Sequence, residues 1–202
     1  MVALQEVDYK TNRAKKYDLV TELAWRSKLA PLFARAMPYD GGEYGEGILS
    51  KWSFLSTRNV PLPYSPGNEP RAAAEVTVII DSGDTISFVG SHLDHLNEDT
   101  DRVSQAKEIN RVFRQNQHPT ILAGDLNDIP GSTAMNILES YWTASYDKDN
   151  PGLTFPSTIP EKKIDYVMYS PKGSWKVLEK TVIQDSIASD HCAYLVVLEL
   201  KN

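Results

Sequence analysis

Apolar residues recur along this chain at two different spacings. Between Asn12 and Leu29, Leu19, Leu23 and Ala24 fall on one side of a 3.6-residue period, and between Asp101 and Gln115 Val103, Ala106, Ile109 and Phe113 do the same. Both stretches are expected to be amphipathic helices. The acids of Asn97-Glu-Asp-Thr-Asp101 suit the start of the second, where backbone N–H groups leave partial positive charge. A shorter helix is expected after Ser132, through Met135 to Leu138. Elsewhere the apolar positions come in short runs rich in Val, Ile, Tyr and Thr, which predict strands over 47–50, 74–80, 86–90, 120–123, 164–169, 177–183 and 192–200. Asp81-Ser-Gly-Asp84 reads as a hairpin turn between two of them. The last run is apolar at nearly every position, the pattern of a strand buried on both faces. Pro61 to Pro70, with four prolines, reads as a surface loop.

Strands outnumber helices, and helices fall between only some of them, so the pattern predicts an α+β fold: a layered sheet core covered by helices. At 202 residues the chain is expected to be one domain. With 21 Lys and Arg against 27 Asp and Glu, its formal charge of -6 gives no general pull toward a nucleic-acid backbone or an anionic membrane. Nucleic acid is therefore a possible but unfavoured partner. No run approaches the ~20 apolar residues of a transmembrane segment. The single cysteine, Cys192, excludes an internal disulfide and is expected as a small apolar strand residue.

Charged and amide residues collect at the ends of the apolar runs. Val2-Ala-Leu4 leads to Gln5-Glu6, Ile86 to Gly90 leads to Ser91-His92, Ile121 to Gly124 leads to Asp125-Leu126-Asn127, and Ser189-Asp190-His191 opens the final run. A lone charge at a buried strand end costs several kcal/mol unless paired or liganded, so four such placements point to one shared rim. Asp125 and Asn127, two apart, would face one centre in an extended segment, and such oxygen donors suit magnesium or manganese. Zinc is not indicated, because His92 and His95 have no thiolates or further histidines near them in sequence. His95 reads as a surface-loop residue.

Taken in order, Gln5-Glu6, Ser91-His92, Gly124-Asp-Leu-Asn127, Ile164-Asp165-Tyr166 and Ser189-Asp190-His191 resemble the endonuclease/exonuclease/phosphatase superfamily, of which deoxyribonuclease I is a member. Gly42-Glu-Tyr-Gly45 followed by Gly47-Ile-Leu-Ser-Lys51 is similar to the family's strand near the site. The resemblance implies a four-layer α/β/β/α sandwich of two mostly antiparallel sheets. It implies Mg²⁺, or Mn²⁺ in its place, on Glu6 and Asp190 with Asp125 or Asn127 close by. It also implies His191 as the group that activates water, oriented by Asp165, with Asp125 and Asn127 holding the nucleophile and the phosphate, and His92 stabilising developing charge. Arg71 is a candidate phosphate contact. The substrate would be a phosphoester, with a small molecule or lipid headgroup ahead of nucleic acid; an inactive binding domain is the alternative of another class. Two departures stand out. The family's first strand, which carries a site asparagine, has no counterpart before Gln5-Glu6, so a shortened version of a longer protein is expected, with localisation and any signal peptide left open. Glu46 stands where many relatives have asparagine.

Overall fold

A computed structural model describes residues 1–201. Its centre is a six-stranded sheet built from β4 (Phe54–Pro61), β5 (Ala72–Ile79), β6 (Thr85–His92), β7 (Thr120–Asp125), β8 (Thr143–Ala144) and β9 (Asp165–Ser170), in the order β4-β5-β6-β7-β9-β8. The β6–β7 pair is parallel and the other pairs are antiparallel. A parallel pair needs a long crossover, and α2 (Thr100–Phe113) supplies it.

Alternation along these strands sends side chains to two different cores. Ala73, Val89, Leu122 and Met168 meet Ala106, Ile109 and Phe113 of α2 and Met135 and Leu138 of α3 (Thr133–Glu139). From the opposite face Ala74, Val76, Val78, Phe88 and Ala123 meet a second layer. That layer has two parts. One is a three-stranded sheet of β1 (Val2–Tyr9), β2 (Ala30–Tyr39) and β3 (Gly42–Ser50), ordered β1-β3-β2, which contributes Ala34 and Ile48. The other is the hairpin of β10 (Trp175–Ile183) and β11 (Ala193–Leu200), which contributes Trp175, Val177, Leu198 and Leu200. Outside the three-stranded sheet, α1 (Leu19–Ser27) packs Val20 and Ala24 against Val7 and Leu49. The layers therefore run α/β/β/α, as the resemblance implies. Among the described residues, β1 pairs with β3 alone, so its other edge carries no strand.

Several expected elements differ, each for a physical reason. Only Leu19–Ser27 of the expected helix over 12–29 is helical, because the Asp18 carboxylate accepts from the Thr21 N–H at 3.1 Å and fixes the start. Before it the chain makes a tight loop, with Lys10, Lys15 and Lys16 all at positive φ. On this helix the buried side chains are Val20 and Ala24, while Leu23 is exposed. Strands β2 and β4 escape the hydrophobic pattern because both are edge strands with mostly exposed or half-buried positions, and β2 carries Pro31 and Pro38, tolerated only at an edge. The last strand is not buried on both faces. Along β11 exposed and half-buried positions alternate, since the hairpin packs on the core with one face only. The Pro-rich loop is anchored: Ser65 and Asn68 donate to the Asp101 carboxylate at the start of α2, over 2.6 to 2.9 Å. Cys192 is buried, immediately ahead of β11.

These placements predict opposite costs for two apolar truncations. Ile109→Ala, at a fully buried position, is expected to lower unfolding free energy in urea by about 2–5 kcal/mol. Leu23→Ala, on the exposed side of α1, is expected to stay within about 0.5 kcal/mol. Equal losses would contradict the assigned helix faces.

Candidate active site

Strand register brings the polar strand ends together. In the β6–β7 ladder Ser91 lies opposite Gly124 and His92 opposite Asp125, and in the β7–β9 ladder Asp125 lies opposite Asp165. Three neighbouring strands thus finish side by side in His92, Asp125 and Asp165. Gly124 permits this: its φ is +149°, and a Cβ there would stand 1.9 Å from the Ser91 carbonyl oxygen. His191, in the segment before β11, completes the row. A carboxylate only accepts, so the His191 Nδ1–H donates to Asp165 Oδ2 at 2.9 Å, leaving Nε2 3.9 Å from Asp125 Oδ2.

Asn127 reaches the same centre by a different route from the extended one expected. The chain turns, with Asn127 at φ +50°, and its N–H donates to Asp125 Oδ1 at 2.8 Å. Its side-chain amide then lies 2.9 Å from His92 Nε2. Glu6 comes from the facing layer. In the β1–β3 ladder Leu4 pairs with Gly47 and Val7 with Gly45, so Gln5 and Glu6 together stand opposite Glu46. This β-bulge puts Glu6 at φ +58° with its side chain exposed, and explains why an apolar run ends in Gln-Glu. Glu6 lies against the Tyr44 hydroxyl and shares a cleft with Arg71 and His95. Asp190 is exposed at the rim beside His191, its carbonyl accepting from the Ser157 N–H at 2.6 Å.

Arg71 is buried, and its guanidinium is already engaged. One terminal nitrogen lies 3.1 Å from His92 Nδ1, and the other lies 3.1 Å from His95 Nδ1 and 2.9 Å from the Glu69 carboxylate. Since guanidinium only donates, His95 Nδ1 accepts and the proton of that neutral imidazole sits on Nε2. At His92 donors stand on both sides of the ring, Arg71 at Nδ1 and the Asn127 amide at Nε2. His92 Nε2 also lies 3.6 Å from Asp125 Oδ2. His95 is exposed, as expected of a surface loop, yet it is tied to the site through Arg71.

Electrostatics at this rim follow from burial and crowding of carboxylates. Burial, then the charge of Asp165, pushes Asp125 up to about 7, with the Asn127 N–H, His191 and Arg71 offsetting only part. For His191 burial opposes the charged ring, but the Asp165 hydrogen bond and the charges of Asp165, Asp125 and Asp190 outweigh it and carry the imidazole up to about 9. Burial, reinforced by Arg71, holds His92 well below the usual imidazole range. Glu46 is fully buried, and burial lifts its carboxyl well above the usual range against the pull of Arg71, with Asp125 and Glu6 adding to the rise. Gln5 Nε2, Glu46 Oε2 and Arg71 Nε are buried without hydrogen-bond partners among the described residues. A bound cation would relieve the mutual repulsion of the clustered carboxylates, but of these atoms only Glu46 Oε2 is an acceptor, and Gln5 Nε2 and Arg71 Nε are donors that suit an anion. Ligand atoms of Asp125, Asp165 and His191 all lie within 4.8 Å of one another, a group able to hold a metal ion. Glu6 and Asp190 stand outside that group.

The residues that the sequence reading missed are the supports. Thr154 Oγ1 accepts from the Ile164 and Asp165 N–H groups, each at 3.2 Å, and the Thr154 carbonyl accepts from the Cys192 N–H at 2.7 Å. Ser157 Oγ donates to the Ser189 carbonyl at 2.7 Å, and the Phe155 ring packs on the His191 ring with centroids 4.8 Å apart. One short segment thus fixes both halves of the His191–Asp165 pair. Its signal in the sequence is slight, Phe155-Pro156 within a stretch that mixes Pro, Ser and Thr with Leu153 and Ile159.

Glu46 yields a pH test. Its carboxyl binds a proton more tightly folded than unfolded, so its contribution to stability falls as pH rises above the usual value of 4.5. In metal-free protein Glu46→Gln is expected to raise the melting temperature, with a gain that widens from about pH 5 to pH 8. A gain independent of pH would contradict the buried-carboxyl assignment.

Comparison with known proteins bears on the fold and the family. No curated protein matches the chain at a significant level. Among solved structures, an endonuclease/exonuclease/phosphatase family protein from Leptotrichia buccalis superposes with a TM-score of 0.76 at 22% identity, over 98% of this chain and 86% of that one. A mannosyl-6-phosphatase from Bacteroides thetaiotaomicron gives 0.72 at 19% identity, over 90% and 81%. The human Nocturnin catalytic domain gives 0.71 at 18% identity, over 96% and 80%. These likenesses establish the fold. The sequence profile of the Endonuclease/Exonuclease/phosphatase family matches residues 1–191, from the first strand through His191, so the chain belongs to that family of hydrolases acting on phosphoester bonds.

Proposed function

We propose that this protein hydrolyses a small-molecule phosphoester with a divalent cation, using water activated at His191. The observation that carries the reading is the His191–Asp165 hydrogen bond of 2.9 Å, with the free Nε2 turned toward Asp125 at the end of three in-register strands. Asp165 holds the ring in one tautomer, so Nε2 is the atom available to take a proton. Water loses that proton to Nε2, its oxygen attacks phosphorus, the ester P–O bond breaks, and the leaving oxygen is protonated. Asp125 and Asn127 position the attacking water and the phosphate, with the Asn127 amide, held beside His92 Nε2, donating to a phosphoryl oxygen as charge builds there. Arg71 acts by orienting His92.

Asp125, with Glu6 and Asp190 at the rim, would hold Mg²⁺ or Mn²⁺, which supplies Lewis-acid charge at the phosphoryl oxygens. Charge compensation at Asp125 and Asp190 also removes two of the influences that keep His191 protonated up to about 9, leaving the Asp165 bond to orient the ring. The name of the Bacteroides neighbour, a phosphatase, supports a phosphoester substrate. The formal charge of -6 disfavours a polyanionic nucleic acid. The intact His191–Asp165–Asp125 row argues against an inactive binding domain.

A screen with Mg²⁺ and Mn²⁺ against p-nitrophenyl phosphate, bis-p-nitrophenyl phosphate, sugar phosphates, sphingomyelin, RNA and plasmid DNA is expected to find cation-dependent turnover. His191→Ala should lower it by about 10²- to 10⁴-fold without abolishing Mn²⁺ binding measured by calorimetry. Glu6→Gln should instead raise the cation concentration at half-maximal activity. Turnover that is independent of metal and equal in wild type and His191→Ala would contradict the mechanism.

A further inference from the structure

His191 takes the proton of the attacking water, and a second group is needed on the far side of phosphorus, where the leaving oxygen gathers charge. The order of the strand ends says which side that is. Strands β9, β7, β6 and β5 run side by side, and Asp165, Asp125 and His92 at their ends are followed by Arg71, just ahead of β5. His191 stands at the β9 end of this row, paired with Asp165 and with Nε2 3.9 Å from Asp125 Oδ2. Attacking and leaving oxygens lie roughly in line through phosphorus. Water activated at His191 therefore drives the leaving oxygen toward the β5 end, where Arg71 and His95 stand.

His95 is the donor that the fold presents there. It lies on the loop between β6 and α2, is exposed, and borders the cleft that opens beside Glu6. Arg71, buried beneath it, holds two histidines at once: one terminal nitrogen is 3.1 Å from His92 Nδ1 and the other 3.1 Å from His95 Nδ1. The second nitrogen carries two N–H groups, so it also meets the Glu69 carboxylate at 2.9 Å. This contact fixes the orientation of the His95 ring. Nδ1 cannot carry a proton while it accepts from Arg71, so the ring is neutral and its one N–H is on Nε2. Among the described residues that N–H makes no hydrogen bond, although Glu6 and Glu69 border the same cleft. A donor locked in place and left free at the rim of the site has a partner that only a ligand can supply.

We propose that His95 is a catalytic residue of this hydrolase, its Nε2–H donating to the ester oxygen as the P–O bond breaks. The proposal rests on the phosphoester hydrolase reading and adds the group on the leaving side. Water loses a proton to His191 Nε2, its oxygen bonds to phosphorus, and the bonding pair of the ester P–O bond departs on the leaving oxygen. The hydrogen bond from His95 stabilises the charge gathering there. The leaving oxygen then takes a proton from solvent water in the open cleft, and His191 returns its own to solvent, which closes the proton count. Arg71 is a positioning residue for both histidines.

A donor on the leaving oxygen matters most where that oxygen carries most charge, so its loss shows in the leaving-group dependence of the rate. The test measures kcat/KM for the p-nitrophenyl, p-chlorophenyl, phenyl and p-methoxyphenyl esters of the phosphate class that the wild type hydrolyses, in wild type, His95→Ala and His95→Gln at saturating Mn²⁺. p-Nitrophenolate spreads its charge furthest and needs the donor least. The expected result is a loss in His95→Ala that grows along the series and is about 10- to 100-fold larger for the p-methoxyphenyl than for the p-nitrophenyl ester. His95→Gln, whose amide keeps a donor close to the place of Nε2, is expected to recover part of that difference. A loss equal for all four esters, as support of Arg71 and His92 alone would give, overturns the proposal and leaves the hydrolase reading intact. So does no loss, or wild-type turnover confined to the p-nitrophenyl ester. Absence of turnover of any phosphoester by the wild type removes the hydrolase reading and the proposal with it.

Discussion

The site depends on how closely β7 approaches β6. At Gly124 the backbone passes so near the Ser91 carbonyl that no side chain fits, and this contact sets the register that puts His92 level with Asp125. The antiparallel pairing of β7 with β9 then sets Asp165 level with Asp125. A shift of one residue in either ladder would turn the carboxylates to the opposite face of the sheet, into the apolar core. The row of polar strand ends is thus a property of sheet register, and helices α2 and α3 serve it by packing on one face of the sheet.

Crowding these groups at a buried strand end is unfavourable in itself, and the surroundings show how the fold tolerates it. Asp165 is matched by His191, and Asp125 accepts the Asn127 N–H. Arg71, itself buried, is matched by two imidazoles and a carboxylate. What remains unmatched is the crowding of the Asp125 and Glu46 carboxyls, both held above the usual carboxylate range, together with the unpartnered Gln5 Nε2, Glu46 Oε2 and Arg71 Nε. On the reading proposed above, a cation would offset the crowded carboxyls and a phosphoryl oxygen would accept from the unpartnered N–H groups.

How much of this was legible in the sequence varied with the kind of signal. Interior strands β5, β6, β7 and β9 stand out, since burial on both faces writes continuous apolar runs ending at polar residues. Edge strands β2 and β4 do not, because solvent on one side removes the pattern. The site residues at strand ends were legible as a set: His92, Asp125, Asn127, Asp165 and His191 do converge. Arg71 was read as a candidate phosphate contact, and nothing in the sequence signals that its terminal nitrogens face His92, His95 and Glu69. Thr154, Phe155 and Ser157 were missed. They act through backbone hydrogen bonds and ring stacking, and neither leaves a periodic trace. Glu6 was legible as a site residue, but the bulge that presents it depends on pairing with a strand some forty residues later, which only the register Leu4–Gly47 and Val7–Gly45 reveals.

The most direct test of this account is anomalous diffraction from crystals of the protein soaked in Mn²⁺. The account predicts one strong peak at the rim bounded by Glu6, Asp125 and Asp190, beside the His191–Asp165 pair. A peak elsewhere on the molecule with this rim empty, at a Mn²⁺ concentration that supports turnover, would contradict it.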